Sequence, residues 1–94
     1  MRVASFVTGL RAHGAAAAPP GAPLRLSRET GRAYDPHSIA VAAVDGRRLG
    51  YLPPSHGRIL APLIDAGLVL EARVVEARAG ANPVLRLEIT PARA

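Results

Sequence analysis

The sequence predicts a mainly β protein: a small six-stranded barrel, closed or nearly closed, with one or two short helices. Three observations lead to this prediction. Short segments that alternate apolar and polar residues, as half-buried strands do, recur along the chain. Turns rich in Gly, Asp, Asn and Pro separate them in mostly hairpin order, and only one stretch has apolar residues at helical spacing. The 94 residues suit one compact domain, predicted to cover 1–94.

The first two predicted strands flank a low-complexity segment. Residues Arg2–Thr8 alternate in character and form the first predicted strand. Residues 14–23, GAAAAPPGAP, are predicted to be a flexible Ala/Pro loop, because Pro19 and Pro20 would end any helical turn that the alanines begin. The alternation in Leu24-Arg25-Leu26 then marks the second strand.

A hairpin is predicted at the centre of the chain. The β pattern from Ser38 to Leu52 is interrupted by Asp45-Gly46, a dipeptide typical of two-residue hairpin turns because glycine accepts a positive φ. On the return strand, alternation assigns two residues to each face: Leu49 and Tyr51 to one, Arg48 and Gly50 to the other.

One helix is predicted after this hairpin. Gly67 lies where a left-handed C-cap belongs, but Pro62 falls within the helical pattern. We expect the regular helix to begin near Ile59, which places Pro62 in its first turn and leaves 54–58 as a looser turn. The alternative is a helix kinked at Pro62. The apolar face of this helix is predicted to contain Ile59, Leu60, Leu63 and Ile64.

The last two predicted strands form another hairpin. They cover Leu68–Arg78 and Val84–Thr90, with a turn at 79–82 between them. Alternation predicts three inward side chains on each: Leu70, Ala72 and Val74 on the first, then Leu85, Leu87 and Ile89 on the second.

The charge of the chain is compatible with a polyanionic partner. The formal net charge is +5, and all twelve basic residues are arginines. Fixed cations that neutralise phosphates provide the sequence-independent part of nucleic-acid affinity. The alternative is coding bias in a chain rich in alanine and arginine. Charge therefore supports a nucleic-acid role without establishing it.

The sequence gives no support for an enzyme, a membrane-spanning protein or a metal-binding protein. It has no phosphate-binding loop and no legible Ser/His/Asp arrangement, so we expect no enzyme and no cofactor. There is no cysteine and no apolar run of about 20 residues, so we expect no membrane span and a cytoplasmic protein. The histidines are expected to be solvent-facing loop residues rather than metal ligands, because none has a second donor at ligand spacing: His13, His37 and His56.

The loop 30–36 is the candidate binding site. Tyr34 can stack a base while Arg32 holds phosphate, or it can fill the end of the barrel. Tyr51 is expected to be buried, because it alternates with Leu49. Asp35 would repel phosphates, so as a ligand contact it implies a neutral donor, and its alternative role is to cap the turn that follows it.

The chain resembles the HIRAN domain family, found at the N-terminus of some helicase-like DNA-repair translocases and as a stand-alone bacterial protein. The resemblance covers roughly 3–89 and implies a six-stranded OB/SH3-like β-barrel. It depends on an ordered set of short motifs: Gly9-Leu10-Arg11, Leu26-Ser27-Arg28-Glu29, Tyr34-Asp35-Pro36-His37-Ser38-Ile39-Ala40-Val41, Gly46, Gly50-Tyr51-Leu52-Pro53, and a helix ending Leu63-Ile64-Asp65-Ala66-Gly67.

The resemblance implies a pocket for the 3′-hydroxyl end of single-stranded DNA. In it, Arg11 would contact a phosphate, Tyr34 would support the terminal base, Asp35 would accept a hydrogen bond from the terminal hydroxyl, and Tyr51 would line the wall. Three features of the family pattern are missing: an aromatic at Ala12, an aromatic on the last hairpin, where the chain has Asn82-Pro83-Val84, and lysines where Pro53-Pro54 follow Tyr51.

Together these observations predict a non-catalytic domain that binds single-stranded DNA at 3′-hydroxyl ends, in DNA repair or replication-fork processing. Such a protein would be nucleoid-associated and would mark ends for a separate helicase or nuclease. The alternative is a protein-interaction module with a degenerate DNA pocket, whose sheet edges and arginines dock an acidic partner. The sequence leaves the oligomeric state open.

Overall fold

Six antiparallel strands form one curled sheet in the computed structural model, which describes residues 1–10 and 18–92. The sheet order is β1-β6-β5-β2-β3-β4. This confirms the predicted mainly β, six-stranded barrel class. The elements are β1 (Val3–Phe6), β2 (Pro23–Arg28), β3 (Ile39–Ala43), β4 (Arg48–Tyr51), α1 (Pro54–Asp65), β5 (Leu70–Arg78) and β6 (Val84–Pro91).

The two edge strands of the sheet meet at a single bridge. Just beyond β1, the Thr8 N–H donates to the Tyr51 carbonyl at 2.7 Å, and the Tyr51 N–H donates to the Thr8 carbonyl at 3.0 Å. Gly50 makes this approach possible, because a Cβ there would overlap the Thr8 carbonyl oxygen and lie 2.5 Å from Val7 Cγ1. The sheet is therefore an incomplete barrel with one narrow seam, and we call this bridge the Thr8–Tyr51 seam.

The core lies inside the curl and follows the predicted alternation. Leu85, Leu87 and Ile89 of β6 are all buried, as are Ala72 and Val74 of β5. The ladder between these strands shifts register between Val74 and Glu76, so the extra residue, Val75, is left exposed. The fifth strand starts at Leu70, two residues later than predicted.

The helix begins earlier than the sequence predicted. It starts at Pro54, with the His56 and Gly57 amides donating to the Pro53 carbonyl, and it continues through Pro62. The late start near Ile59 was therefore wrong. Gly57 lets this first turn pack against the loop, because a Cβ there would lie 2.6 Å from the His37 carbonyl oxygen.

The burial of the helix also differs from the prediction. Its fully buried side chains are Leu60 and Ala61, and Ile59, assigned to the apolar face, is exposed. The helix ends at Asp65, and Gly67 just beyond it has the predicted left-handed backbone, with φ 101°. In the part of the chain that the structure describes, no helix is long and apolar enough to cross a membrane.

The β3–β4 hairpin has a three-residue turn rather than the predicted two-residue turn. Gly46 takes a positive φ of 92° as expected, but no described non-glycine residue does, so Asp45 cannot occupy the first site of a type I′ turn. The loop is Val44-Asp45-Gly46, closed by a bond from the Ala43 N–H to the Arg47 carbonyl. Hydrogen bonds from the Arg47 backbone and side chain lower the pKa of Asp45 below its ordinary value of 3.8.

Part of the predicted flexible loop is packed onto the sheet. Residues 14–17 lie outside the described ranges, but Ala18 is buried and the Gly21 N–H donates to the Val74 carbonyl at 2.8 Å. In addition, β2 already begins at Pro23. Within the predicted loop, the structure therefore places Ala18 and Gly21 against the sheet and Pro23 in β2.

Candidate nucleic-acid interface

A bulge in β4 brings together Arg48 and Tyr51, which the sequence predicted to lie on opposite faces of the strand. Gly50 pairs with Val41, but the next pair joins Ala42 to Arg48, so Leu49 is an extra residue in β4. Leu49 and Gly50 are both buried, and the alternation predicted for this strand is broken. Arg48 and Tyr51 therefore reach each other, with Arg48 Nη1 3.3 Å from Tyr51 Oη.

Two arginines lie against the Tyr51 ring. The Arg32 guanidinium is centred 3.9 Å from the ring centroid, and the Arg48 guanidinium is 5.8 Å away. Arg32 also donates to Ser38 Oγ at 3.1 Å, and Arg48 pairs with Glu29 at 2.9 Å. We call Arg32, Arg48 and Tyr51 the Tyr51 cluster. It is a cationic surface on an aromatic base, and Tyr51 itself is half-buried.

Two consecutive turns shape the loop between β2 and β3. The Asp35 N–H donates to the Arg32 carbonyl at 3.2 Å, and the Ser38 N–H donates to the Asp35 carbonyl at 3.3 Å. Tyr34 lies at the tip of the first turn and is fully exposed, at 101% of its reference area. This exposure excludes the alternative in which Tyr34 fills the end of the barrel.

Asp35 contributes to the backbone of the loop. Its Oδ1 accepts a hydrogen bond from the His37 N–H at 3.0 Å, which is the turn-capping role considered from the sequence. The residue is half-buried. A carboxylate has two oxygens with about four acceptor sites, so this single bond leaves it able to accept another.

Arg28 fixes the loop to the rest of the domain. Its Nη1 donates to the Ser38 carbonyl and its Nη2 to the Pro36 carbonyl, both at 2.8 Å. Its Nε lies 3.0 Å from Asp65 Oδ1, in the last residue of α1. A planar guanidinium is suited to holding three fixed acceptors. Arg28 therefore joins the loop to the end of the helix.

The structure brings some predicted site residues together and leaves one outside the described ranges. Arg32 and Tyr51 are in contact, and Tyr34 and Asp35 follow Arg32 in the same turn. Arg11 lies outside the described residues. Sequence reasoning missed Arg28 and Arg48 as members of the site. The only sequence signal for the Arg48 contact is Gly50, because glycine within a strand often marks a bulge.

The histidines differ from one another in their surroundings. His56 lies in α1, with Nδ1 2.6 Å from Oγ of buried Ser5, so the prediction of a solvent-facing loop residue was wrong for it. His37 is half-buried in the loop, and His13 lies outside the described residues. Within 1–10 and 18–92, no three His, Asp or Glu side chains are grouped to hold a metal ion.

Comparisons with known proteins place this geometry in a family. The family model for the HIRAN domain matches residues 2–90. The crystal structure of the HIRAN domain of human HLTF is similar, with a TM-score of 0.80 and 23% identity over 96% of this chain and 74% of that one. A crystal structure of a protein from Lactobacillus plantarum has a TM-score of 0.76 and 23% identity, covering 95% of this chain and 97% of that one. No curated protein sequence matches the chain.

Proposed function

The chain belongs to the HIRAN domain family, and on that premise we propose that it is a non-catalytic domain that binds single-stranded DNA at 3′-hydroxyl ends. The observation that carries the proposal is the Tyr51 cluster, which places two guanidinium groups on one aromatic ring beside a loop that presents a fully exposed Tyr34. Cations and aromatic faces side by side are the two components of single-strand recognition.

The arginines of the cluster would bind the phosphates. Arg48 is shared between Glu29 and the Tyr51 hydroxyl, whereas Arg32 has one hydrogen bond to Ser38 Oγ and the stack on Tyr51. A guanidinium stacked on a ring by its flat face keeps its edge N–H donors available for phosphate oxygens. Arg11 is proposed as a further phosphate contact.

Tyr34 would support the terminal base, and Tyr51 would line the wall of the site. The Tyr34 ring is fully exposed at the tip of its turn, so a base can stack on it without displacing protein atoms. The backbone beneath it is held by the two turns and by the hydrogen bonds of Arg28. A rigid mount reduces the ordering cost of binding, and base–aromatic stacking contributes about 1–3 kcal/mol per base.

Asp35 would recognise the end of the strand. With Oδ1 bound to the His37 N–H, the carboxylate retains acceptor capacity for a hydroxyl donor. A 3′-phosphate in the same place would bring negative charge to negative charge. The site is therefore proposed to favour 3′-hydroxyl over 3′-phosphate ends by roughly ten- to a hundredfold, the equivalent of about 1.5–3 kcal/mol for a hydrogen bond to a charged acceptor.

The proposed role is to mark an end for other enzymes. A domain that holds a 3′ end without cutting it would present that end to a separate helicase or nuclease, in DNA repair or at a replication fork. Such work would take place on the nucleoid in the cytoplasm. The rival function, docking of an acidic protein by the same arginines, predicts no preference between kinds of DNA end.

The test is fluorescence anisotropy with labelled single strands that end in either a 3′-hydroxyl or a 3′-phosphate, titrated at two salt concentrations. Arg32→Ala should weaken binding to both ends and flatten the salt dependence. Asp35→Asn keeps an acceptor for the His37 N–H but removes the charge, so it should shrink the end preference with little loss of stability. Arg73→Ala, which removes an exposed arginine of β5 outside the Tyr51 cluster, is the control.

Two results would overturn the proposal. Equal affinity of the wild type for both ends would refute end recognition and leave Asp35 as a turn cap. Equal losses for Arg32→Ala and Arg73→Ala would mean that diffuse charge, rather than the Tyr51 cluster, binds the strand.

A further inference from the structure

A carboxylate lies against the Tyr51 cluster. Glu29 Oε2 is 2.9 Å from Arg48 Nη1, the same nitrogen that lies 3.3 Å from the Tyr51 hydroxyl. Only 28% of the Glu29 side chain is exposed, compared with 56% of the Arg48 side chain. The proposed function gives this carboxylate no role. Its charge works against phosphate binding, because it neutralises one of the two cations of the cluster.

The position of Glu29 is fixed by its surroundings. The residue directly follows β2, and its N–H donates to the Ser38 carbonyl at 3.0 Å. The other carboxylate oxygen, Oε1, faces Gly31, since a Cβ on that glycine would lie 3.9 Å from it. The preceding residue, Arg28, is held by three acceptors. The Glu29 carboxylate is therefore a built part of the site and differs from a freely solvated surface charge.

A carboxylate and a phosphate compete for the same donors of an arginine. Both present two oxygens that accept hydrogen bonds from the edge of a guanidinium. In the unbound protein, Arg48 Nη1 is taken by Glu29 and the Tyr51 hydroxyl, so a phosphate that binds there must displace the carboxylate. In the described part of the chain, Arg32 instead donates to the neutral Ser38 hydroxyl and can bind a phosphate without breaking an ion pair. The two arginines of the cluster are therefore not equivalent.

We propose that Glu29 is an internal competitor of the DNA backbone: its carboxylate occupies the place on Arg48 that a strand phosphate takes on binding. This inference rests on the proposed function, since it concerns the phosphate contacts of the same site. Each binding event has to break the Glu29–Arg48 pair and leaves a freed carboxylate near the phosphate, so affinity is lowered and release is faster. The domain would then hold a strand end only briefly, which suits a protein that passes the end to another enzyme.

Glu29→Gln tests this inference, because the amide keeps the shape of the side chain and loses its charge. Affinity for a single strand with a 3′-hydroxyl end, measured by fluorescence anisotropy, should rise about three- to tenfold. Glu29→Ala is a second variant with the same expected direction. The preference for 3′-hydroxyl over 3′-phosphate ends, assigned to Asp35, should stay unchanged in both.

The salt dependence of binding is a second measurement on the same variants. In the wild type, the freed carboxylate takes up a cation from solution and cancels the one that the phosphate releases. Glu29→Gln has no such carboxylate, so the slope of log K against log salt should become steeper by up to one single-strand phosphate contact, about 0.7.

Two controls separate competition at Arg48 from a change in net charge. Glu76→Gln removes an acid of β5 that pairs with Arg78 and Arg86, outside the Tyr51 cluster, and should bind like the wild type. In an Arg48→Ala background, Glu29→Gln should raise the affinity about twofold or less, because the contested arginine is gone.

The outcomes distinguish this inference from the proposed function. Weaker binding by both Glu29→Gln and Glu29→Ala would overturn the competition and make the carboxylate a positioning residue for Arg48. An equal gain for Glu29→Gln and Glu76→Gln, or the same gain with and without Arg48, would reduce the effect to net charge. A wild type without an end preference overturns the proposed end recognition, whereas a gain from Glu29→Gln that depends on Arg48 would still support the competition.

Discussion

Replacing Gly50 by alanine should open the seam of the barrel. The added Cβ would overlap the Thr8 carbonyl oxygen and meet Val7 Cγ1 at 2.5 Å, and neither neighbour can yield easily. One is backbone already hydrogen-bonded across the seam, and the other belongs to the buried residue Val7. Overpacking of this kind costs about 1–3 kcal/mol.

Relief of that overlap would break the bridge. The two backbone bonds of the Thr8–Tyr51 seam, at 2.7 and 3.0 Å, each contribute about 0.5–1.5 kcal/mol. Whether the overlap is kept or relieved by opening the bridge, the cost is about 1–3 kcal/mol, a large share of the roughly 5–15 kcal/mol expected for a domain of this size. At about 4–8 °C per kcal/mol, the Tm should fall by at least about 4 °C.

Thermal melting followed by circular dichroism measures this change. The matched control is Gly31→Ala, since a Cβ at Gly31 meets only Glu29 Oε1 at 3.9 Å and the glycine has no positive φ to preserve. That variant should melt at or slightly above the wild-type temperature, because alanine restricts the unfolded chain. If Gly50→Ala melts at the same temperature as Gly31→Ala, closure of the seam does not require the absence of a Cβ at position 50, and the reasoning is wrong.

Two further predictions concern the hairpin turn and the loop anchor. Gly46→Val should lower stability by about 1 kcal/mol or more, because valine resists the φ of 92° at the turn; an unchanged melting temperature would count against the strain. Arg28→Lys keeps the charge but has all its donors on one nitrogen, which cannot reach the separate acceptors of Asp65, Ser38 and Pro36 at once. It should lower the Tm and reduce the preference for 3′-hydroxyl ends while the salt slope of binding stays the same. A salt slope reduced by about one would instead make Arg28 a direct phosphate contact.

The sequence predicts the inner face of this fold well, because alternation reports burial directly. Leu85, Leu87 and Ile89 alternate with polar residues, and each is buried. Positive φ at Gly46 and Gly67 was likewise predictable, since a left-handed backbone favours glycine. These features depend on one residue and its immediate neighbours.

Features that depend on contacts between distant segments were not predictable. Pro54 at the first position of α1 is a local start signal, but the packing of that first turn against the His37 carbonyl joins segments far apart in the sequence. The sequence did not decide whether Tyr34 is exposed or buried, because the loop that carries it is shaped partly by hydrogen bonds from Arg28. Arg48 reached Tyr51 only through a bulge, and one inserted residue reverses every face assignment beyond it.

The pairing of the first strand with the last determines when the barrel can form. Val3 pairs with Ile89, so β1 has its only ladder partner at the far end of the described chain. A ribosome adds about 5–20 residues per second, and β1 must wait several seconds with its edge unpaired until β6 has been made. Local hairpins such as β3–β4 can form meanwhile, but the Thr8–Tyr51 seam lies just beyond β1 and closes with it. Folding should therefore be slow for a chain of this size, and the proposed binding surface should be the last part of the structure to form.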